Sequence, residues 1–136
     1  SEKFSDTLVI GSDQILLFED KVLSKSNTVD SIRKQLLKMR GKKHSLISAV
    51  CVLLNGTRVW GHTEIAHLKF RNFSAEYLDN YLVSAGDKIF DSPCGYQVES
   101  ESIQLFESIR GDYFSILGIP LLPLLGCLRN WGIVQK

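Results

Sequence analysis

The chain reads as an α/β domain, a twisted mixed sheet built around one long antiparallel hairpin with helices flanking it. Three observations carry that reading. Residues 44–54 are rich in apolar and β-branched side chains, Asn55-Gly56 follows at once, and residues 57–70 return with Val59, Ile65 and Leu68 among polar neighbours. Asn-Gly suits a tight hairpin because both residues tolerate positive φ. From Val29 the spacing turns helical, with Val29, Ile32, Leu36 and Met39 on one side. Strands and helices then alternate around the hairpin, as mixed α/β layering requires.

The elements follow in order. Thr7-Leu8-Val9-Ile10 is a short β-branched run ending at Gly11-Ser12, which predicts a buried strand that stops there. Gln14 to Phe18 predicts a second short strand, with Glu19-Asp20 as its turn. The helix from Val29 is capped by Asn27 or Thr28, and Gly41 stands where a left-handed terminator belongs. Ser74 caps a second helix carrying Tyr77, Leu78, Tyr81 and Leu82, closed by Gly86. Pro93, Cys94 and Gly95 mark Asp91 to Glu99 as a loop. Leu105, Phe106 and Ile109 have helical spacing, Gly111-Asp112 ends that segment, and Tyr113 to Leu117 predicts a strand. A last helix begins after Pro120, runs from Leu121 to Trp131 and stops at Gly132.

At 136 residues the chain fits one domain, residues 1–136, with enough material for a real core. A hydrophobic fraction of 44%, a charged fraction of 23% and a net charge of +1 are those of an ordinary globular protein. They point neither to a nucleic-acid partner nor to an acidic tail. Cys51, Cys94 and Cys127 are too few and too scattered for a disulfide framework or a zinc site, and an odd number of free thiols fits the cytoplasm. The longest apolar stretch, Ile116 to Leu128, is broken by Gly118, Pro120, Pro123 and Gly126, so no membrane span is expected. The basic cluster from Arg33 to Lys43 reads as a solvated helix face.

Chemistry has few candidate places. Ser12-Asp13-Gln14 puts a carboxylate just past a predicted strand, where open α/β sheets bind ligands. Such a group can hold a divalent cation or take a proton from water, and equally it can be a turn residue. Lys25 lies one short hairpin downstream and can return to the same crevice as a point cation for phosphate. Gly95-Tyr96-Gln97-Val98-Glu99 offers a flexible glycine, an aromatic ring and another carboxylate. His44, His62 and His67 share no metal-ligand spacing, and surface or pairing roles are expected for them. The signatures of serine hydrolases, P-loop enzymes and Rossmann dinucleotide sites do not occur.

Taken together, several blocks resemble the Maf family of nucleotide pyrophosphatases over essentially the whole chain. They are Val9-Ile10-Gly11-Ser12-Asp13-Gln14 with Ser24-Lys25, Arg40-Gly41-Lys42-Lys43-His44, Phe70-Arg71-Asn72-Phe73-Ser74, Gly95-Tyr96, and the run from Gly111 to Leu121. The later blocks look most like the alphaproteobacterial branch. The resemblance implies a Maf/inosine-triphosphatase-like fold that cuts nucleoside triphosphates between the α and β phosphates, with Mg²⁺ or Mn²⁺ as cofactor. It also implies a homodimer, and some members are linked to restraint of septum formation. Asp13 would be the catalytic carboxylate and a metal ligand, Glu99 a second metal ligand near the nucleotide, and Ser12, Gln14, Lys25, Tyr96 and Glu99 the substrate-binding set. Three positions depart from the family pattern. Ser26 replaces a common proline, Glu99 a common glutamine and Ser100 a common glycine. The strand and Ser/Pro/Arg-rich phosphate-gripping loop that open family members are not found, so the resemblance implies an N-terminally truncated domain. A non-catalytic nucleotide-binding or division-regulating protein of the same fold is the alternative.

Overall fold

Burial alternates residue by residue along Lys43–Leu54, strand β3, which sends His44, Leu46, Ser48, Val50 and Val52 into the core. The computed structural model describes residues 7–93, 95–97 and 100–135. In it β3 lies between β1 (Leu8–Phe18) and β4 (Thr57–Phe70), while β2 (Lys21–Leu23) and β5 (Phe106–Arg110) take the edges. The sheet order is β2-β1-β3-β4-β5 and every pairing is antiparallel, so direction alternates from each strand to the next, where a mixed sheet was expected. The long hairpin stands as predicted. Asn55 and Gly56 turn it with φ of 51° and 84°, the left-handed pair of a two-residue loop. Glu19 and Asp20, with φ of 51° and 63°, do the same between β1 and β2.

Helix α1 (Val29–Met39) takes Thr28 as its N-cap, whose side chain accepts from the Ser31 amide, and it buries Ile32, Leu36 and Met39. Each of these side chains contributes roughly 1.5–3 kcal/mol on burial, against about 1 kcal/mol for the cap. Packing, then, holds this helix in place. Helix α2 (Ala75–Ala85) is capped by Ser74 and lays Leu78, Tyr81 and Leu82 on the same core. Helix α4 (Leu121–Asn130) covers the far end of the hairpin, where Leu124 and Leu128 meet Val50 and Val52. All the sheet residues involved belong to one face. Among the described residues the opposite face carries no helix.

Four local expectations change. Gly11-Ser12 does not end a strand, because β3 supplies a partner to every residue from Leu8 to Leu17 and the two short strands fuse into β1. Nor is the first half of β1 buried: Val9 and Ile10 are 48% and 47% exposed. The segment 103–109 is not helical. A 3₁₀ turn over Glu101–Leu105 gives way to β5, drawn into pairing with the β4 edge. Tyr113–Leu117 is a short helix, α3, and no strand. Asp112 caps it, accepting from the Ser115 amide at 2.8 Å, and Gly118 N–H closes back on the Phe114 carbonyl at 3.1 Å.

Two buried polar contacts tie these layers together. Gln14 reaches from β1 towards α3, its Nε2 lying 3.0 Å from Ser48 Oγ, from the Ser115 carbonyl and from the Ile116 carbonyl. Ser48 Oγ donates to the same Ser115 carbonyl at 2.6 Å. His44, expected at the surface or in a pairing role, is 3% exposed and pairs with Tyr96, Nε2 to Oη at 2.8 Å. It sits among the rings of Phe70, Tyr96 and Phe106, with centroids 4.8–6.2 Å away. Its Nδ1 has no partner among the described residues. An orphaned lone pair costs less than an orphaned N–H, which places the proton on Nε2.

Burial pushes the His44 imidazole down from 6.5 to about 4. The folded protein therefore holds it neutral, and its contribution is intact above pH 6.5 and lost as pH falls towards 4. The loss is on the order of 3 kcal/mol. Urea titrations at a series of pH values should show wild type losing more stability than His44→Phe across that window, with no such difference between pH 7 and 8. Gln14→Leu should cost roughly 1–3 kcal/mol by taking away the side-chain donor to the Ile116 carbonyl and one of those to the Ser115 carbonyl. Gln14→Glu should cost at least as much, since a carboxylate cannot donate to them, and thermal melts would rank the three.

Candidate active site

Consecutive strand residues point to opposite faces, and this splits the expected site residues across β1. Asp13, Ala49 and Thr63 stand side by side on β1, β3 and β4, on the face without helices. Ser12 and Gln14 point the other way. Asp13 is thus in mid-strand, fixed by β3, and not in a crevice beyond a strand end. Its carboxylate is exposed, with Oδ1 accepting from the Gln14 amide at 2.9 Å.

That hydrogen bond identifies the edge of the sheet. Thr7 and Asn55 bond each other across the β1–β3 side, Asn55 N–H to the Thr7 carbonyl at 3.0 Å. Odd-numbered backbone groups of β1 therefore face β3 and even-numbered ones face outward. Strand β2 covers only Leu16 to Phe18. The outward groups of Ile10, Ser12 and Gln14 have no strand beside them among the described residues, and Asp13 occupies one of the exposed amides. Leu23 pairs with Leu16, so the antiparallel course of β2 carries Ser24 and the exposed Lys25 towards the Asp13 end of this edge.

On the helix-bearing face, Gln14 and Tyr96 line a cleft of about 180 Å³ with Asp91, Ser92, Gln97 and Leu117. Here Gln14 Nε2 is occupied by α3 and the Tyr96 hydroxyl by His44. The segment carrying Tyr96 is held by several hydrogen bonds. Tyr81 Oη donates to the Gly95 carbonyl at 2.5 Å, Ser92 Oγ to the Tyr96 carbonyl at 2.5 Å, and Ser102 Oγ to the Gln97 carbonyl. Burial raises the Tyr81 phenol to about 12, so it stays a donor at any physiological pH. The structure therefore brings Gln14 and Tyr96 together on one face, while the exposed Lys25 follows the end of β2 and forms no ion pair with Asp13 among the described residues. Glu99 lies outside the described residues.

Asp13 shares its own face with a residue that the sequence did not single out. Arg58 lines the same depression of about 370 Å³, with Gly11, Ala49, Cys51 and Thr63. Counting from the Asn55-Gly56 turn puts Arg58 opposite Leu53, as observed, but only the bulge beyond that pair brings Gly61 onto the same face. Among the described residues no three His, Cys, Asp or Glu side chains cluster tightly enough to cage a metal. His62 pairs with Glu64 at 2.7 Å and stacks on Trp60, and His67 meets Ser45 at 3.3 Å. No helix among the described residues is long and apolar enough to cross a membrane.

Known proteins resemble this chain over most of its length. A protein of Granulibacter bethesdensis named nucleoside triphosphate pyrophosphatase is 44% identical over 130 residues, covering 96% of this chain and 66% of its own. A Brucella suis protein named 7-methyl-GTP pyrophosphatase is 46% identical over 130 residues, 96% of this chain and 65% of its own. A nucleoside triphosphate pyrophosphatase of Paramagnetospirillum magneticum is 46% identical over 132 residues, 97% and 68% respectively. The chain thus spans about two thirds of the length of these curated relatives. The family described as Maf-like protein matches residues 1–131, nearly the whole sequence, and this chain belongs to it.

Proposed function

We propose that the protein is a nucleoside triphosphate pyrophosphatase, releasing a nucleoside monophosphate and pyrophosphate. The observation that carries this reading is the 44–46% identity to relatives named for that activity, spread over almost all of the chain. Several of the relatives are named for 7-methyl-GTP, which makes a modified purine nucleotide the first substrate to try.

Asp13 is the proposed base. A rigid central strand holds it, Gln14 N–H fixes one carboxylate oxygen, and the other is left open to solvent on the helix-free face. Water attacks the α phosphorus, the α–β bond breaks, and the proton of the attacking water passes to that free oxygen. Lys25, directed towards the same edge, binds phosphate oxygens as a mobile cation. Ser12, Gln14, Tyr96 and Glu99 are the proposed nucleotide-binding set, with Gln14 and Tyr96 shaping the cleft on the helix-bearing face while their Nε2 and hydroxyl groups stay bound to α3 and His44.

A single exposed carboxylate fits Mg²⁺ or Mn²⁺ bound in the manner of a phosphate-carrying ion, with substrate oxygens and water supplying most ligands. Asp13 would hold it, with Glu99 as the second candidate. Such an ion spreads the charge of the phosphates. The homodimer and the cytoplasmic setting belong to the same proposal.

The test is pyrophosphate release from a panel of nucleoside triphosphates, 7-methyl-GTP included, with Mg²⁺ or Mn²⁺. Asp13→Asn should lower turnover by roughly 100-fold or more with an unchanged melting temperature, because asparagine Oδ1 can still accept from Gln14 N–H. Turnover retained in that variant would sink the assignment of Asp13.

A further inference from the structure

We propose that Arg58 is a phosphate-binding residue of the same site, forming with Asp13 a two-ended cradle on the open face of the sheet. The inference rests on the pyrophosphatase reading for the identity of its ligand, the pyrophosphate portion of the substrate.

The floor of the cradle is made of small side chains in register. Gly11, Cys51 and Gly61 stand side by side on β1, β3 and β4, and the next row is Asp13, Ala49 and Thr63. Arg58 opens the row before, opposite Leu53. The bulge after Val52 lets β4 advance by an extra residue there, so Arg58 and Gly61 keep to one face although three positions separate them.

Glycine at 61 is what admits the guanidinium. A Cβ built on residue 61 would collide with the Nη2, Cζ and Nε atoms of Arg58. The backbone conformation at Gly61 is one that any residue adopts, so the requirement is for space alone. The guanidinium therefore lies over Gly61, at the margin of the depression that Asp13 also lines.

Among the described residues Arg58 has no competing partner: it forms no ion pair, and in particular none with Asp13, although both line one depression of about 370 Å³. The other strand-borne cation close to a carboxylate, Lys69, is paired with Glu107 at 2.9 Å. A guanidinium and a carboxylate that line one depression without forming an ion pair suit a pyrophosphate group carrying a divalent cation, whose oxygens would meet Arg58 and whose cation would meet Asp13. Arginine's planar fork matches two phosphate oxygens at once.

The experiment is calorimetric titration of inorganic pyrophosphate, with Mg²⁺ present, into the full-length protein and its Arg58→Ala, Arg58→Lys and Gly61→Ala variants. Steady-state assays on the same samples accompany it. Arg58→Ala should weaken pyrophosphate binding by roughly 10- to 100-fold, Arg58→Lys should recover part of it, and Gly61→Ala should weaken it by displacing the guanidinium with Arg58 still present. Melting temperatures within a degree or two of wild type would separate this from misfolding, and Arg58→Lys serves as the folded control should Arg58→Ala be unstable. Pyrophosphate binding unchanged in Arg58→Ala would overturn the proposal, as would a wild-type protein that binds no pyrophosphate. The two readings fail separately. Turnover that survives with Arg58-independent binding removes the cradle and keeps the enzyme, whereas Arg58-dependent binding without turnover on any nucleotide keeps the cradle and removes the enzyme.

Discussion

Strand β3 hydrogen-bonds to β1 on one side and to β4 on the other along nearly its whole length, and this double pairing fixes the direction of every side chain in the sheet. A slip of one residue would exchange the two faces completely. Leu16, Leu46 and Ala66 would turn to solvent while Ile15, Ile47 and Ile65 turned to the helices, and α1 and α2 would lose their seat. The burial that holds the core in place is thus the same constraint that holds Asp13 outward and Gln14 inward. Chemistry and packing are set by one register.

The polar contacts refine what that register begins. Gln14 and Ser48 occupy core-facing positions where apolar side chains would be the default, and both are satisfied by the backbone of α3. Directional contacts of this kind locate a helix of five residues that is too short to hold itself in place by packing. The arrangement around His44 and Tyr96 does the same for the loop after the 3₁₀ turn at Gly86–Asp91, which buries Ile89 beneath it. Each case joins the helix-bearing face to a segment that the sheet alone would leave unsupported.

What the sequence revealed divides along physical lines. The hairpin around Asn55-Gly56, α1 with its Thr28 cap, α2 with its Ser74 cap and α4 after Pro120 were legible because turn chemistry, capping and apolar period are local properties. Residues 103–109 and 113–117 were misread for the opposite reason. Phe106 to Arg110 becomes a strand only because the β4 edge is there to pair with it, and Tyr113 to Leu117 coils because Asp112 and Gly118 bound it tightly. Asp13 stands in a setting the sequence did not suggest, since Gly11 pointed to a strand end that a long-range partner overrides. Arg58 carried no local signal at all. Its position depends on a bulge and on a glycine three residues away.

The alternation along β1 also separates two kinds of change that evolution can make. Positions 11, 13 and 15 look onto the helix-free face, so variation there alters what the surface offers to a ligand while the packed layer stays as it is. Positions 14, 16 and 18 answer to α3 and the core, where almost any replacement is felt as lost stability. Neighbouring residues of one strand therefore answer to different demands, the odd positions to whatever meets the open face and the even ones to the packing beneath them.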